Sequence, residues 1–212
     1  IAMLIMALAD AGAAIVGENV KTPKIYQFSG EKKSVQGSLT MFFASFLIMA
    51  LGLNFWGWID KLSLSIYEIL WYALMVAIIA TACESISYKG SDNLSVPLGA
   101  AFVAHFLVTH PFSDNVSFTI GVMLALLIAV LSFKAKFLSG SGAVATFVLG
   151  AVVFGIGKWE FSLPLLLFFI LSSLLSKLGK KQKLKFKDTF QKGGQRDLGQ
   201  VLANGGIAGI LV

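Results

Sequence analysis

Long apolar stretches separated by short polar segments make up most of this chain. Three stretches contain no Asp, Glu, Lys or Arg, and they cover residues 34–59, 115–133 and 137–157. Three others are largely apolar, and they cover residues 62–82, 94–109 and 161–176. Because a helix needs about 20 apolar residues to cross a bilayer, this pattern predicts six full membrane-spanning helices. The end segments 1–8 and 199–212 predict two partial ones.

The composition indicates the same class of protein. Hydrophobic residues make up 57% of the 212 residues and charged residues only 13%, with a mean hydropathy of +0.82. Soluble domains carry about 25% charged residues, so a soluble globular enzyme is excluded. We therefore expect an all-α, polytopic transmembrane helical bundle. Because the chain starts at Ile1 and stops at Val212 inside an apolar run, we also expect it to be a piece of a longer protein.

The basic residues fall in alternate loops. Fifteen of the 17 Lys and Arg residues lie in four loops, around residues 17–36, 84–95, 134–139 and 177–198. Cytoplasmic loops of membrane proteins are enriched in Lys and Arg, so we expect these four loops at the cytoplasmic face. Their charge also suits anionic membrane lipids or an anionic substrate such as a nucleotide. A run such as 177–187 is more often a topology signal alone.

Polar residues cluster beside the same basic loops. Lys32, Lys33 and Ser34 come just before a long apolar run that opens with Gly37 and Ser38. A helix beginning there presents unpaired N–H groups and its positive dipole end to an anion. This segment therefore predicts a phosphate cradle, although Gly37 and Ser38 are equally typical of close helix packing.

Three carboxylates, Asp10, Glu84 and Asp92, lie near these loops. Mg²⁺ is usually held by one or two carboxylates plus substrate phosphates, so a carboxylate cluster beside a phosphate cradle favours phosphoryl or nucleotidyl transfer. Simpler interpretations remain open, because Asp10 is also suited to capping a helix and the pair Asp92-Asn93 to forming a turn.

Three elements of the first half resemble a known family. They are the segments Asp10 to Gly17, Lys32 to Ser38 and Glu84 to Leu98, the last of which contains Ser91-Asp92-Asn93-Leu94 and Pro97. In this order they look like the carboxyl half of CTP-dependent polyprenol kinases, the dolichol and phytol kinases related to phosphatidate cytidylyltransferase. The resemblance covers residues 1–108 and predicts a first domain over residues 1–113. It implies that the amino-terminal half of the family is missing.

The residues and this resemblance together predict phosphorylation of an isoprenoid alcohol at the cytoplasmic membrane face. CTP is the expected phosphoryl donor and Mg²⁺ the expected cofactor. The expected catalytic residues are Asp10, Lys33 and Glu84. The expected nucleotide-binding residues are Lys32, Lys33, Ser34, Gly37, Ser38 and Asn93, and the expected metal ligands are Asp10 and Asp92.

In the second half, glycine and serine residues come just before an apolar run, and an arginine comes just before the last one. Ser139, Gly140, Ser141 and Gly142 suit an oxyanion at a helix start, whereas Arg196, Asp197 and Asn204 offer a bidentate phosphate donor beside a possible Mg²⁺ ligand. Helix packing through small residues is the alternative for this segment.

Residues 117–212 also resemble a second membrane family. The resemblance rests on the segments Phe137 to Ala143, Leu174 to Gly179 and Lys192 to Gly206, which includes Gly193 and Gly194. These segments look like those of plant phytyl-phosphate kinases and animal transmembrane protein 19. The resemblance predicts a second domain over residues 114–212, with its downstream part missing, and implies a second phosphorylation that acts on an isoprenoid monophosphate.

Two other functions stay open. A cytidylyltransferase would form a CDP-activated lipid and release pyrophosphate, and a transporter or channel can also contain carboxylates within helices. Nothing in the sequence predicts nucleic-acid binding, because aromatic and basic residues do not interleave. His105 and His110 lie about 140° apart around one helix, so joint zinc ligation is not expected.

Overall fold

Helices account for most of the structure. The computed structural model describes residues 1–60, 63–178 and 195–212, and within these residues it contains eight helices. We number them α1 (Ala2–Asn19), α2 (Val35–Asp60), α3 (Ile66–Ser85), α4 (Asp92–Thr109), α5 (Phe112–Lys134), α6 (Gly140–Gly155), α7 (Lys158–Leu178) and α8 (Leu198–Leu211). The protein is thus an all-α, polytopic membrane protein, as its apolar pattern predicts.

Five helices, α1, α2, α3, α5 and α7, are long and apolar enough to cross a bilayer. Two predicted segments have different lengths in the structure. The predicted partial helix 1–8 continues to Asn19, because Asp10 is followed by strong helix formers such as Ala11, Ala13 and Ala14. The predicted span 137–157 is shortened to Gly140–Gly155, because Ser139 caps its start by accepting from the Gly142 N–H at 3.2 Å.

The chain divides into two compact units, Ile1–Asn115 and Val116–Val212. In the first unit, α2 packs against α1 and α3, and α3 packs against α4. The most buried of these helices is α3, with Val76, Ala77 and Ala80 fully enclosed. A capping box between Ser65 and Glu68 begins α3 and satisfies two of the N–H groups that a helix start leaves unpaired.

A π-helical stretch, Ile5–Asp10, interrupts the regular geometry of α1. Up to Asp10 the helix packs against both α2 and α4. From Ala11 to Asn19 it still packs against α2 but makes no comparable packing with α4. Both α1 and α4 lie entirely within the described residues. π-helical turns are frequent at functional sites, and this one ends at Asp10, which belongs to the site described below.

A short hairpin connects α1 to α2. Its strands β1 (Ile25–Tyr26) and β2 (Lys33–Ser34) are antiparallel, with Ile25 opposite Ser34 and Tyr26 opposite Lys33. Two side chains of its turn fasten it to the α3–α4 connection. The Ser29 hydroxyl donates to the Ser87 carbonyl at 2.7 Å, and the Glu31 carboxylate accepts from the Lys89 N–H at 2.7 Å.

In the second unit, the segments that precede α6 and α8 lie side by side. Ser139 N–H donates to the Arg196 carbonyl and Arg196 N–H donates to the Phe137 carbonyl, both at 2.9 Å. A small core of Leu138, Ala145 and Val201 lies beneath this bridge. The second unit thus brings two helix starts together by backbone hydrogen bonds.

Candidate functional site

A cavity of about 390 Å³ opens in the first unit between α1, the hairpin, the end of α3 and the start of α4. Eight of the nine residues predicted for the nucleotide, metal and catalytic roles of this unit line it, namely Asp10, Lys32, Lys33, Ser34, Gly37, Ser38, Glu84 and Asp92. Its volume is within the range of small-molecule sites. Three segments far apart in sequence thus meet around one space.

The remaining predicted residue, Asn93, is not among the lining residues. Its N–H group donates to the Asp92 carboxylate at 3.1 Å, and it lies in the first turn of α4 beside the left-handed Gly90. The structure therefore places Asn93 behind Asp92, where its backbone helps to orient that carboxylate.

One wall of the cavity is formed where α1 and the start of α2 approach closely. A side chain at Gly37 would lie 2.9 Å from the Ala13 carbonyl, and one at Gly17 would lie 2.9 Å from the Ser34 hydroxyl. The Ser34 hydroxyl accepts from the Gly37 N–H at 3.0 Å. Because a hydroxyl also carries one donor, Ser34 still has a hydrogen to offer to an anion in the cavity.

The Lys33 ammonium lies within a group of oxygen atoms. Its Nζ is 2.5 Å from Glu84 Oε1, 2.7 Å from Ser87 Oγ and 3.9 Å from Asp92 Oδ2. The Ser87 hydroxyl in turn donates to the Asp92 carboxylate at 3.1 Å, which links Asp92 to Lys33. The side chains of Lys33 and Glu84 are only 13% and 8% exposed. Lys33 therefore holds two acidic residues of the cavity in place.

The second oxygen of Glu84 faces a chain of hydroxyls. Ser38 Oγ donates to Glu84 Oε2 at 3.4 Å and lies 2.5 Å from the Tyr26 hydroxyl. Burial, together with the nearby Glu84 charge, raises the pKa of Tyr26 above its usual value. Tyr26 thus keeps its proton and its hydrogen bond at neutral pH. Neither Tyr26 nor Ser87 is predicted from the sequence, because both depend on how the hairpin folds onto α3.

Asp10 and Lys32 differ from these engaged residues. Within the described residues, the Asp10 carboxylate has no hydrogen bond or ion pair, although it is half-buried and near enough to Asp92 for the two to repel each other. Lys32 is exposed and, in the same part of the chain, has no ion pair. The helix-cap interpretation of Asp10 is wrong, since its side chain makes no capping bond. A carboxylate and a cation thus face the cavity available for a ligand.

The acidic residues of the cavity fit a Mg²⁺ ion whose remaining ligands come from the phosphates of a substrate. No group of three or more His, Cys, Asp and Glu residues suited to a metal occurs in the described residues. Asp10 and Asp92 supply two carboxylates, which is the number that Mg²⁺ commonly takes when phosphates complete its coordination.

In the second unit, several residues predicted for a phosphate site have roles in helix capping and packing. Ser139 and Asp197 cap α6 and α8, with Asp197 accepting from the Gln200 N–H at 2.9 Å. A side chain at Gly142 would lie 2.1 Å from the Arg196 carbonyl. Gly140 begins α6, and the Ser141 hydroxyl lies 3.1 Å from that of Ser139. Gly193 and Gly194 lie outside the described residues.

Arg196 and Asn204 line a separate, smaller cavity of about 50 Å³ with mainly apolar walls. The Arg196 guanidinium lies 5.4 Å from the centre of the Phe169 ring, and burial lowers its pKa below the usual value. Among the predicted phosphate-site residues of this unit that the structure describes, these two line this cavity.

The sequence is similar to that of integral membrane proteins. The family model described as Integral membrane protein DUF92 matches residues 123–212. The chain is 42% identical to Protein PGR of Arabidopsis thaliana over 91 residues. These 91 residues are 43% of this chain and 31% of that protein.

Two further relatives are named as kinases. Phytol kinase of Synechocystis sp. is 39% identical over 104 residues, covering 49% of this chain and 42% of the relative. Probable phytol kinase, chloroplastic, of Triticum aestivum is 35% identical over 109 residues, covering 50% and 36%. The chain thus spans less than half the length of these relatives. No solved structure shows significant similarity to it.

Proposed function

We propose that this chain carries the active site of a kinase that phosphorylates an isoprenoid alcohol such as phytol, with CTP as donor. The observation that carries the proposal is the single cavity lined by a lysine pair, the start of α2 and the carboxylates Asp10, Glu84 and Asp92. The similarity to proteins named phytol kinase supports the choice of acceptor. The basic loops around the cavity face the cytoplasm in this proposal.

In the proposed reaction the acceptor hydroxyl oxygen forms a bond to the γ-phosphorus of CTP, and the bond from that phosphorus to the bridging oxygen breaks. CDP leaves, and the proton of the hydroxyl is released to water. Such transfers depend mainly on positioning and on neutralising phosphate charge. Lys32 contacts the phosphates directly, and the Ser34 hydroxyl supplies a further donor.

Mg²⁺, when bound with the nucleotide by Asp10 and Asp92, supplies additional neutralisation of the phosphate charge. Lys33 has a different task, because its donors are already directed at Glu84 and Ser87. It keeps Glu84 and Asp92 in position while leaving a positive charge near the phosphates. Glu84 in turn orients Ser38, which lines the cavity.

For the second unit we propose a second kinase step, in which a phosphate oxygen of the monophosphate takes the γ-phosphoryl group of a nucleoside triphosphate, giving the diphosphate and releasing the nucleoside diphosphate. Arg196 is suited to bind the phosphate, because a guanidinium offers two parallel donors to one anion. Ser139, Gly142 and Asp197 contribute by fixing the two helix starts on either side of Arg196.

The direct test is transfer of label from γ-labelled CTP to phytol by the full-length protein in detergent, with lipids separated by thin-layer chromatography. Lys32→Met should lower the transfer rate about 100-fold, as loss of one charged donor commonly does. Lys24→Met is the matched control, because Lys24 is exposed on the same loop but does not line the cavity. It should retain wild-type activity.

Other outcomes identify other functions. A CDP-lipid with released pyrophosphate would establish a cytidylyltransferase. Solute movement into sealed vesicles without CTP consumption would establish a transporter. If wild-type protein transferred label to phytol and Lys32→Met did so equally well, the kinase would stand and the assigned role of Lys32 would be wrong.

A further inference from the structure

Two turns with left-handed backbone meet beside the cavity. One is the hairpin turn at Gly30, with a φ of 103°, and the other is the α3–α4 connection at Lys89 and Gly90, with φ of 50° and 79°. A side chain at Gly30 would lie 2.9 Å from the Tyr88 ring, so the hairpin turn lies directly on this connection. We name this contact the clasp, and it consists of Ser29, Gly30 and Glu31 on the hairpin and Ser87, Tyr88 and Lys89 on the connection.

Two hydrogen bonds cross the clasp. The Glu31 carboxylate accepts from the Lys89 N–H at 2.7 Å, and the Ser29 hydroxyl donates to the Ser87 carbonyl at the same distance. Left-handed backbone is uncommon for a residue with a side chain, and it is retained where the surrounding structure holds it. Lys89 has this conformation. The bond from Glu31 is therefore one of the contacts that keep the α3–α4 connection in its shape.

Each side of the clasp carries one half of the proposed kinase site. On the hairpin, Lys32 directly follows Glu31 and lines the cavity. On the connection, Asp92 follows Lys89 by three residues and lines the same cavity. The clasp thus fixes the spacing between the cation assigned to the phosphates and a carboxylate assigned to Mg²⁺.

The hydrogen bond of Glu31 and its charge have opposite effects on an anionic ligand. Within the described residues, Glu31 makes the bond to Lys89 and no ion pair. It also lines the cavity, where a negative charge repels phosphates. A backbone N–H needs only an acceptor oxygen, so the bond does not require the charge. The two effects can therefore be separated by substitution.

We propose that Glu31 is a positioning residue for the nucleotide. Through the Lys89 N–H it keeps Lys32 and Asp92 at the spacing that a metal-bound triphosphate needs, before the nucleotide arrives. Without the clasp, a smaller fraction of the protein has this spacing, and the apparent affinity for the nucleotide falls by the same factor. This inference rests on the proposed kinase function and adds a residue that prepares its nucleotide site.

Three variants of the full-length protein in detergent test the proposal. Glu31→Ala removes the bond and the charge, Glu31→Gln removes the charge alone, and Glu18→Ala removes a charge from an exposed cavity residue outside the clasp. We expect the KM for CTP of Glu31→Ala to be about tenfold above that of Glu31→Gln, the size of one lost hydrogen bond to a charged group. Glu31→Gln and Glu18→Ala should not raise the KM for CTP above the wild-type value.

The other constants distinguish positioning from general damage. A bound nucleotide restores the spacing, because Lys32 and Asp92 then hold it from both sides. The kcat of Glu31→Ala at saturating CTP and its KM for phytol should therefore equal the wild-type values. The Mg²⁺ concentration that gives half of the maximal rate should rise together with the KM for CTP.

Hydrogen exchange provides a readout that does not depend on catalysis. In the absence of nucleotide, a peptide containing Lys89 should exchange faster in Glu31→Ala than in the wild type or Glu31→Gln, because its N–H has lost its acceptor. Mass spectrometry of the digested protein measures this rate.

Several results would overturn the positioning role. They are a KM for CTP as high in Glu31→Gln as in Glu31→Ala, a fall in kcat with every KM unchanged, and faster exchange at Lys89 without a change in the KM for CTP. If Glu31→Ala fails to fold, Ser29→Ala, which removes the other bond of the clasp, decides the same comparison. Absence of phosphate transfer by the wild-type protein would instead overturn the kinase function itself.

Discussion

Two adjacent lysines have different environments in this protein. Lys33 is enclosed by Glu84, Ser87 and Asp92, whereas Lys32 is exposed at the cavity. The sequence predicts both as phosphate ligands because it places two cations before a helix start. It cannot separate them, since the partners of Lys33 are 51 and 54 residues away in the chain.

We expect Lys33→Met to destabilise the protein by about 3 kcal/mol, because it leaves the mostly buried Glu84 carboxylate without its counter-ion. Thermal unfolding in detergent measures the effect, and Lys32→Met is the control that should unfold near the wild-type temperature. The double variant Lys33→Met, Glu84→Gln should recover part of the loss. Equal unfolding temperatures for the two lysine variants would contradict a structural role of Lys33.

The hydroxyl pair Tyr26 and Ser38 provides a second prediction at this scale. Tyr26→Phe and Ser38→Ala should each destabilise the protein by about 1 kcal/mol, the usual contribution of a buried hydrogen bond. The double variant should lose little more than Ser38→Ala alone, because both single variants remove the same 2.5 Å interaction and Ser38→Ala also removes the 3.4 Å bond to Glu84. Unfolding of all four proteins in one detergent gives this cycle. Fully additive losses would show that the two hydroxyls act independently.

At the scale of elements, the apolar pattern predicts most helices because each buried or lipid-facing stretch needs its backbone hydrogen bonds satisfied internally. It does not predict that α1 continues through Asp10. A carboxylate in an apolar helix usually indicates its end, and here it is tolerated because it faces a polar cavity rather than lipid. Likewise, the hairpin and its attachment to the α3–α4 turn depend on contacts between distant residues.

Glycines of the second unit show whether small residues are needed for packing. Gly142→Ala should destabilise the protein by about 2 kcal/mol, because the added carbon would lie 2.1 Å from the Arg196 carbonyl and push the two helix starts apart. Gly206→Ala is a matched control, since nothing lies within 4 Å of its added carbon. It should stabilise α8 by about 0.5–1 kcal/mol. Similar unfolding temperatures for both variants would contradict the bridge between the two helix starts.

At the scale of the whole molecule, the alternation of basic and non-basic loops predicts a fixed orientation. The basic residues of the four loops decide on which side those loops stay, so this property follows from sequence without tertiary contacts. The joining of three distant segments around one cavity does not follow in the same way. The sequence indicates only that they lie at the same membrane face. The packing of the four helices α1, α2, α3 and α4 brings them together into one site.

Orientation is open to direct measurement by labelling of single cysteines. The native thiol, Cys83, is buried in α3 and is replaced by serine. In that background, cysteines at the exposed positions Lys21, Lys89 and Lys136 should react with a membrane-impermeant maleimide only from the cytoplasmic side, and one at Ser63 only from the other side. Sealed right-side-out and inverted vesicles distinguish the two. Reaction of Lys89→Cys and Ser63→Cys from the same side would mean that α3 does not cross the bilayer, and the cavity would then lack its cytoplasmic access for CTP.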